Sequence, residues 1–363
     1  MEKALHIFKK ILPFLLGGII GILISWFRLF DGLFFFANWV IIASIPVSIL
    51  LGVIIHELGH LIFGLLTGYS FSSFRVGMFI WYKEDEKIRF SISKSLVAGQ
   101  CLMVPVKDFR EFKFVLYNLG GVIFDGIFAV LLLTLFFVTS YTLSVIFLLG
   151  AFINLLLVFQ NIIPIRSIAN DGANIWEALK LKNKDAARGL YTMLYVNHLT
   201  MQGQRYRDMD SSLFELSDNA DPSNYLVAYL YLLKAQHVED LGRSTEAFDI
   251  YNKLSAYKKL PKIYINLINA NLLYYYIFDN PDHEKAIALF QNSALREFMK
   301  SGVSVCTLIL AGYMFFVEDK KDEAIKIFEK GKADLQRIPN KGERIMTEDE
   351  YNKIEALMKG EIQ

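Results

Sequence analysis

The stretch Ile54-Ile55-His56-Glu57-Leu58-Gly59-His60-Leu61-Ile62 sets two imidazoles and a carboxylate inside an apolar run that reads as a membrane helix. Ionisable side chains at bilayer depth are costly, so where they occur they mark function. At helical spacing His56 and His60 stand one turn apart on one face, where both imidazoles can bind a single metal ion, and Glu57 lies beside them. Two neutral nitrogen ligands, with a carboxylate to take a proton from bound water, are what a zinc hydrolase needs.

The chain around this motif has two halves of different character. It has 363 residues, 54% of them hydrophobic, and a mean hydropathy of +0.34. Up to Ile163 there are 12 Lys+Arg and 9 Asp+Glu, against 26 and 28 in the remainder. The first half is lipid-like in composition and the second has the balance of an ordinary soluble domain. A net charge of +1 gives no reason to propose nucleic acid as a partner. Cys101 and Cys306 lie in different halves and suggest neither a zinc knuckle nor a disulfide framework, which fits a reduced, cytosol-facing chain.

Residues 11–27 are long enough for a first, short span, retained because no small-residue cleavage site follows. The next apolar run, 33–67, offers a turn only at Pro46 or Gly52 and is read as an approach segment followed by one tilted helix over about 39–66. Residues 114–138 and 141–163 form two more spans, with Asn154 expected to hydrogen-bond between helices. Between them and the motif, 74–82 and 88–93 flank the polar turn Glu84-Asp85-Glu86-Lys87 and predict a β-hairpin over 74–93 at the membrane interface. That hairpin serves either as structure or as an edge on which an unwound substrate adds as a strand. Basic residues cluster before the first span and in 67–113, so the positive-inside rule places both termini and the hairpin in the cytosol.

A tetrahedral zinc site with an open position for water needs a third protein ligand. The end of the last span supplies one in Asn161-Ile162-Ile163-Pro164 followed by Asn170-Asp171-Gly172, where Asp171 is expected on irregular backbone. Together with Gly120-Gly121-Val122-Ile123-Phe124-Asp125, these segments resemble the site-2 protease family of intramembrane zinc metalloproteases over roughly residues 50–176. The resemblance implies that His56, His60 and Asp171 hold Zn2+, that Glu57 is the general base, and that Asn161 lies near the substrate or the developing oxyanion. Asp125 stands where that family has an Asn, and is a rival to Asp171 as third ligand.

The second half is helical and amphipathic, and it repeats. Glu246-Ala247-Phe248-Asp249-Ile250-Tyr251, Lys285-Ala286-Ile287-Ala288-Leu289-Phe290 and Glu323-Ala324-Ile325-Lys326-Ile327-Phe328 align, their alanines 39 and 38 residues apart, each followed four positions later by an aromatic. The pattern resembles tetratricopeptide-type repeats, with a generic stack of helical hairpins as the alternative. A degenerate earlier copy is read over 190–216, with Met209 and Leu213 at the alanine and aromatic places. Such repeats offer a concave surface for a peptide, or simply cap the cytosolic face.

The sequence therefore predicts a mainly α fold: a polytopic membrane α-helical core with an interfacial β-hairpin, followed by a soluble tetratricopeptide-like domain. The expected divisions are 1–37 for the first span and turn, 38–176 for the metalloprotease core, and 177–363 for the cytosolic repeats. The expected activity is zinc-dependent intramembrane endopeptidase, and the expected place is the plasma membrane of a bacterium. The resemblance implies substrates that are membrane-anchored, such as regulators or leader and signal peptides. A cytosolic protein or peptide on the repeats and the lipid bilayer are the other partners expected. A membrane scaffold with a vestigial or structural metal site is the competing expectation.

Overall fold

The computed structural model describes residues 36–84, 86–92, 98–105, 109, 112–179 and 184–361. The first predicted span, 11–27, lies outside the described residues. Among the described residues three helices are long and apolar enough to cross a membrane: α1 (Phe36–Leu66), α2 (Phe114–Val138) and α3 (Tyr141–Ile162). α1 continues through Pro46 without a break, as membrane helices can when neighbouring groups satisfy the freed carbonyl.

The described residues divide into two compact units, one made of 36–55 with Phe124–Val158, the other of His56–Ile123 with those from Phe159 onward. In the first unit Ser44, Ser48, Ala129, Ser144 and Ala151 are buried while Val47, Leu50, Ile127 and Val130 are exposed. That pattern suits lipid, because large apolar side chains face acyl chains without penalty and small residues let helices close on one another. Asn154 donates from Nδ2 to the Gly150 carbonyl of its own helix at 2.8 Å, so this bond lies within α3 instead of between helices as expected.

In the second unit the hairpin expected over 74–93 is a four-stranded antiparallel sheet. Its strands are β1 (Ser70–Val76), β2 (Phe79–Glu84), β3 (Lys87–Ile92) and β4 (Gly99–Val104), in the order β3-β2-β1-β4. The run 74–82 is broken because Gly77 sits at φ +56°, a conformation that favours glycine, and Val76 pairs with Phe79 across a two-residue turn. Apolar residues continue through Gly77 and Met78, which hides the reversal in the sequence.

The pleat sorts the sheet into two faces. Cys101, Phe74, Trp81 and Phe90 align across it on one face, and Trp81 and Phe90 remain exposed there with Phe79 beside them. Gln100, Arg75, Ile80 and Ser91 form the neighbouring row on the other face. Tyr69, Cys101, Met103, Tyr117 and Leu194 form a core that ties β4 to α2 and to α5 (Lys184–Met201).

The remaining helices are α4 (Asp171–Leu179), α6 (Tyr225–Asp240), α7 (Ser244–Ser255), α8 (Lys262–Tyr274), α9 (His283–Phe290), α10 (Ser293–Met299), α11 (Ser304–Gly312), α12 (Lys321–Ala333) and α13 (Lys341–Lys359). Ala247, Ala286 and Ala324 are buried to 1%, 0% and 0%, so each helix that carries one has no room there for a larger side chain. Residues 206–208 and 211–214 form only single 3-10 turns, and the earlier copy expected over 190–216 has no second helix. His237 is packed, its Nδ1 2.8 Å from the Tyr206 carbonyl and its ring stacked on Phe214. Cys101 and Cys306 are both free and buried.

Within this helical region Glu239 accepts a hydrogen bond from the Tyr251 hydroxyl at 3.1 Å. Burial, reinforced by the Glu350 carboxylate, pushes the Glu239 carboxyl up to about 8 from an ordinary 4.5. A carboxyl raised in the folded state contributes stability that is complete below its unfolded pKa and is lost as pH rises through the folded one. Thermal unfolding between about pH 5 and about pH 9 should therefore show stability falling with pH, and Glu239→Gln should flatten that slope.

Candidate metal centre

The turn of α1 that carries His56, Glu57 and His60 lies against α2 with the two backbones touching. A Cβ on Gly59 would come within 2.2 Å of the Gly120 carbonyl oxygen, and one on Gly120 within 2.4 Å of the Gly59 oxygen. The next residue, Gly121, makes room for the His56 ring, which a Cβ there would meet at 2.5 Å. His60 Nδ1 lies 2.8 Å from the Tyr117 carbonyl oxygen. A carbonyl only accepts, so Nδ1 carries the proton and the Nε2 lone pair is left for a metal.

Asp171 comes to the same place from the other end of the sequence. α3 stops at Ile162 before Pro164, and residues 163–170 form the irregular stretch; Asp171 itself is the first residue of α4 and not part of that stretch as expected. Asn170 fixes the junction. Its Oδ1 accepts from the backbone N–H of Ile165 at 2.9 Å and of Ala173 at 3.1 Å, capping α4. Its Nδ2 donates to the carbonyls of Gln160 at 2.5 Å and Ile163 at 2.7 Å, groups that the end of α3 leaves without helical partners. A Cβ on Gly172 would lie 2.4 Å from the Ile162 oxygen, so only glycine lets α4 start this close to α3.

The result is a triangle. Asp171 Oδ2 is 3.2 Å from His56 Nε2 and 3.2 Å from His60 Nε2, and the two Nε2 atoms are 3.2 Å apart. Ligands roughly 2.0–2.1 Å from a tetrahedral zinc ion stand about 3.3 Å from one another, so these atoms fit one face of a zinc tetrahedron and leave the fourth corner for water. Burial works against the Asp171 charge, but the two imidazoles outweigh it and hold the carboxyl below its ordinary range. Glu57 is buried and accepts the backbone N–H of Cys101, while the Tyr117 hydroxyl donates to the Cys101 carbonyl at 2.6 Å. The middle of β4, the edge strand beside the site, is thus held at both of its backbone groups.

Among the described residues, His56, His60 and Asp171 form the group able to hold a metal ion. Asp125 is fully buried but is not in that group. Asn161 lies in the last turn of α3, where its carbonyl faces Asn170 Nδ2 at 3.4 Å.

Asn170, Tyr117 and a set of bracing residues went unrecognised in the sequence. Arg166, in the irregular stretch, pairs with buried Glu177 at 2.6 Å, and Glu177 accepts from Asn224, the cap of α6, at 2.8 Å. Tyr225 donates to Asn174 at 2.6 Å, and Asn174 donates to Asn118 of α2 at 3.1 Å. These bonds tie α4 both to α2 and to the C-terminal helices. Asn170 had a readable signal, a cap residue directly before Asp171 and an apolar run. A backbone carbonyl such as that of Tyr117 has none.

Residues 44–143 match Peptidase family M50. No curated protein and no solved structure matches the chain. The matched stretch contains His56, Glu57, His60 and the whole sheet, and ends before Asp171. Together with the three membrane-length helices, the match supports a membrane protein that is a metallopeptidase of the site-2 protease type.

The triangle sets an order of effects on metal content. Protein purified in detergent and assayed for bound zinc by elemental analysis should lose the metal with Asp171→Ala and keep it with Asp125→Ala. Asn170→Ala leaves all three ligands in place but frees their support, and should weaken zinc affinity by about 10–100-fold.

Proposed function

We propose that this chain is an intramembrane zinc endopeptidase that cleaves membrane-spanning segments of membrane-anchored regulators or leader and signal peptides. The observation that carries the reading is the equilateral set of His56 Nε2, His60 Nε2 and Asp171 Oδ2, at 3.2 Å on each side, with Glu57 adjacent in sequence. Zinc bound there supplies a Lewis acid that polarises the scissile carbonyl and lowers the pKa of water. Glu57 takes the proton from the attacking water and passes it to the leaving amine. Asn161 acts on the substrate side, near the developing oxyanion.

A substrate helix must unwind to expose its backbone, and β4 is the edge on which it adds as a strand. Cys101 gives its N–H to Glu57 and its carbonyl to Tyr117 before any substrate arrives, so strand addition at this point exchanges those bonds for substrate bonds. The exposed face of Phe79, Trp81 and Phe90 suits the membrane interface, where aromatic rings are favoured. Both termini lie in the cytosol of a bacterial cell, on the side marked by the basic residues of 67–113.

The soluble helices are tetratricopeptide-like and bind a cytosolic protein or peptide. Two features support repetition. The buried alanines recur at the spacing given above, and α8 and α11 each end in a π-helical turn, Tyr275–Asp279 and Tyr313–Val317. In both turns the first aromatic carbonyl accepts from the residue five further on, Tyr275 from Asn280 and Tyr313 from Glu318.

Cleavage of a model membrane-spanning substrate in detergent is the direct test. Glu57→Ala should reduce turnover by at least about a thousandfold while zinc content stays at the wild-type level. Unchanged cleavage by Glu57→Ala, or wild-type protein that takes up no zinc, would overturn the peptidase reading.

A further inference from the structure

On the face of the sheet away from Phe74 and Trp81 there is a partly open cavity of about 710 Å³, bordered also by α5, α13 and the segments leading into α11 and α13. This volume suits a small ligand or a short peptide. Its walls are mixed. Ile80, Leu102, Met201 and Ile338 give it an apolar body, and Arg75, Gln100, Asn197 and Glu343 bring polar groups to it.

The polar groups are not matched to one another. Nε and Nη1 of Arg75 are enclosed and make no hydrogen bond, and Nδ2 of Asn197 is enclosed in the same way. Arg75 forms no ion pair among the described residues, and Glu343 lines the same cavity. A native fold seldom leaves covered donors unsatisfied, and Arg75 is a half-buried cation with two of them. Guanidinium donors suit carboxylate oxygens, and an amide nitrogen suits a carbonyl. Glu343 disfavours a multiply charged anion but accepts an N–H. The ligand whose chemistry meets all three demands carries one carboxylate, neighbouring amide groups and apolar side chains.

We propose that this cavity binds the C-terminal carboxylate of an apolar peptide, with Arg75 as its anion partner. Asn197 takes a peptide carbonyl and Glu343 a peptide N–H. Gln100, in the cavity wall, precedes Cys101 on β4, so a chain end held at Arg75 is anchored on the opposite face of the sheet whose edge meets Glu57. Binding here does not depend on zinc or on cleavage.

The test uses the full chain in detergent with Glu57→Ala, so that no probe is cut. The probes are a fluorescein-labelled apolar hexapeptide with a free C-terminal carboxylate, the same peptide amidated, and decanoate as a competitor. Fluorescence anisotropy should show the free acid binding at least about tenfold more tightly than the amide, the value of one charge-assisted hydrogen bond. Arg75→Gln should remove that preference with the unfolding temperature kept, and decanoate should compete poorly. Equal binding of acid and amide, or an unchanged preference in folded Arg75→Gln, would overturn the proposal. Decanoate binding as tightly as the peptide would overturn the peptide assignment in favour of an alkyl carboxylate. Should Arg75→Gln fail to fold, the acid and amide comparison decides alone.

Discussion

At Gly59 and Gly120 the backbones of α1 and α2 approach so closely that neither position has space for a methyl group. The centre depends on this contact. It brings the Tyr117 carbonyl within 2.8 Å of His60 Nδ1, which sets the tautomer, and places Gly121 against the His56 ring. In lipid there is no hydrophobic drive to push helices together, so close packing and hydrogen bonds hold this contact. A larger residue at either glycine would separate the helices and shift both imidazoles from their common point.

The carboxylate that completes the triangle is held by a different device. Five backbone groups of residues 160–173 converge on the one side chain of Asn170, which satisfies the end of α3 and the start of α4 together. Arg166, Glu177 and Asn224 then fasten this junction to the C-terminal helices, and Asn174 fastens it to α2. The candidate ligands on α1 and on α4 are thus positioned by hydrogen bonds from three parts of the chain, and the C-terminal helices contribute to the geometry of the site as well as to its surroundings. A ligand triangle has to be held to within about half an ångström to be useful, which explains so much bonding around one aspartate.

The sheet separates two environments. Its aromatic face carries Trp81 and Phe90 outward, and its other face presents Arg75 and Gln100 to a cavity. One edge strand, β4, is fixed to the metal centre through Cys101. A strand can serve all three because its side chains alternate between faces while its backbone groups point along the plane of the sheet. Cys101, a free and buried cysteine with no redox partner, matters for its backbone.

The sequence alone determined the parts that depend on local pattern. Helical periodicity put His56 and His60 on one face, hydropathy marked the three described spans, and Asp171-Gly172 was readable as a carboxylate at a chain reversal. The sheet was half legible, since Gly77 breaks an apolar run without changing its composition and β4 ends in four consecutive apolar residues that show no alternation. Tertiary structure decided what brings distant residues together. That His60 would find a backbone carbonyl, that Asn170 would clasp two helix ends, and that Arg75 would face a cavity without an ion-pair partner are properties of pairs far apart in the chain. No local pattern encodes them, because a carbonyl looks the same at every position and a vacant guanidinium is defined only by what fails to surround it.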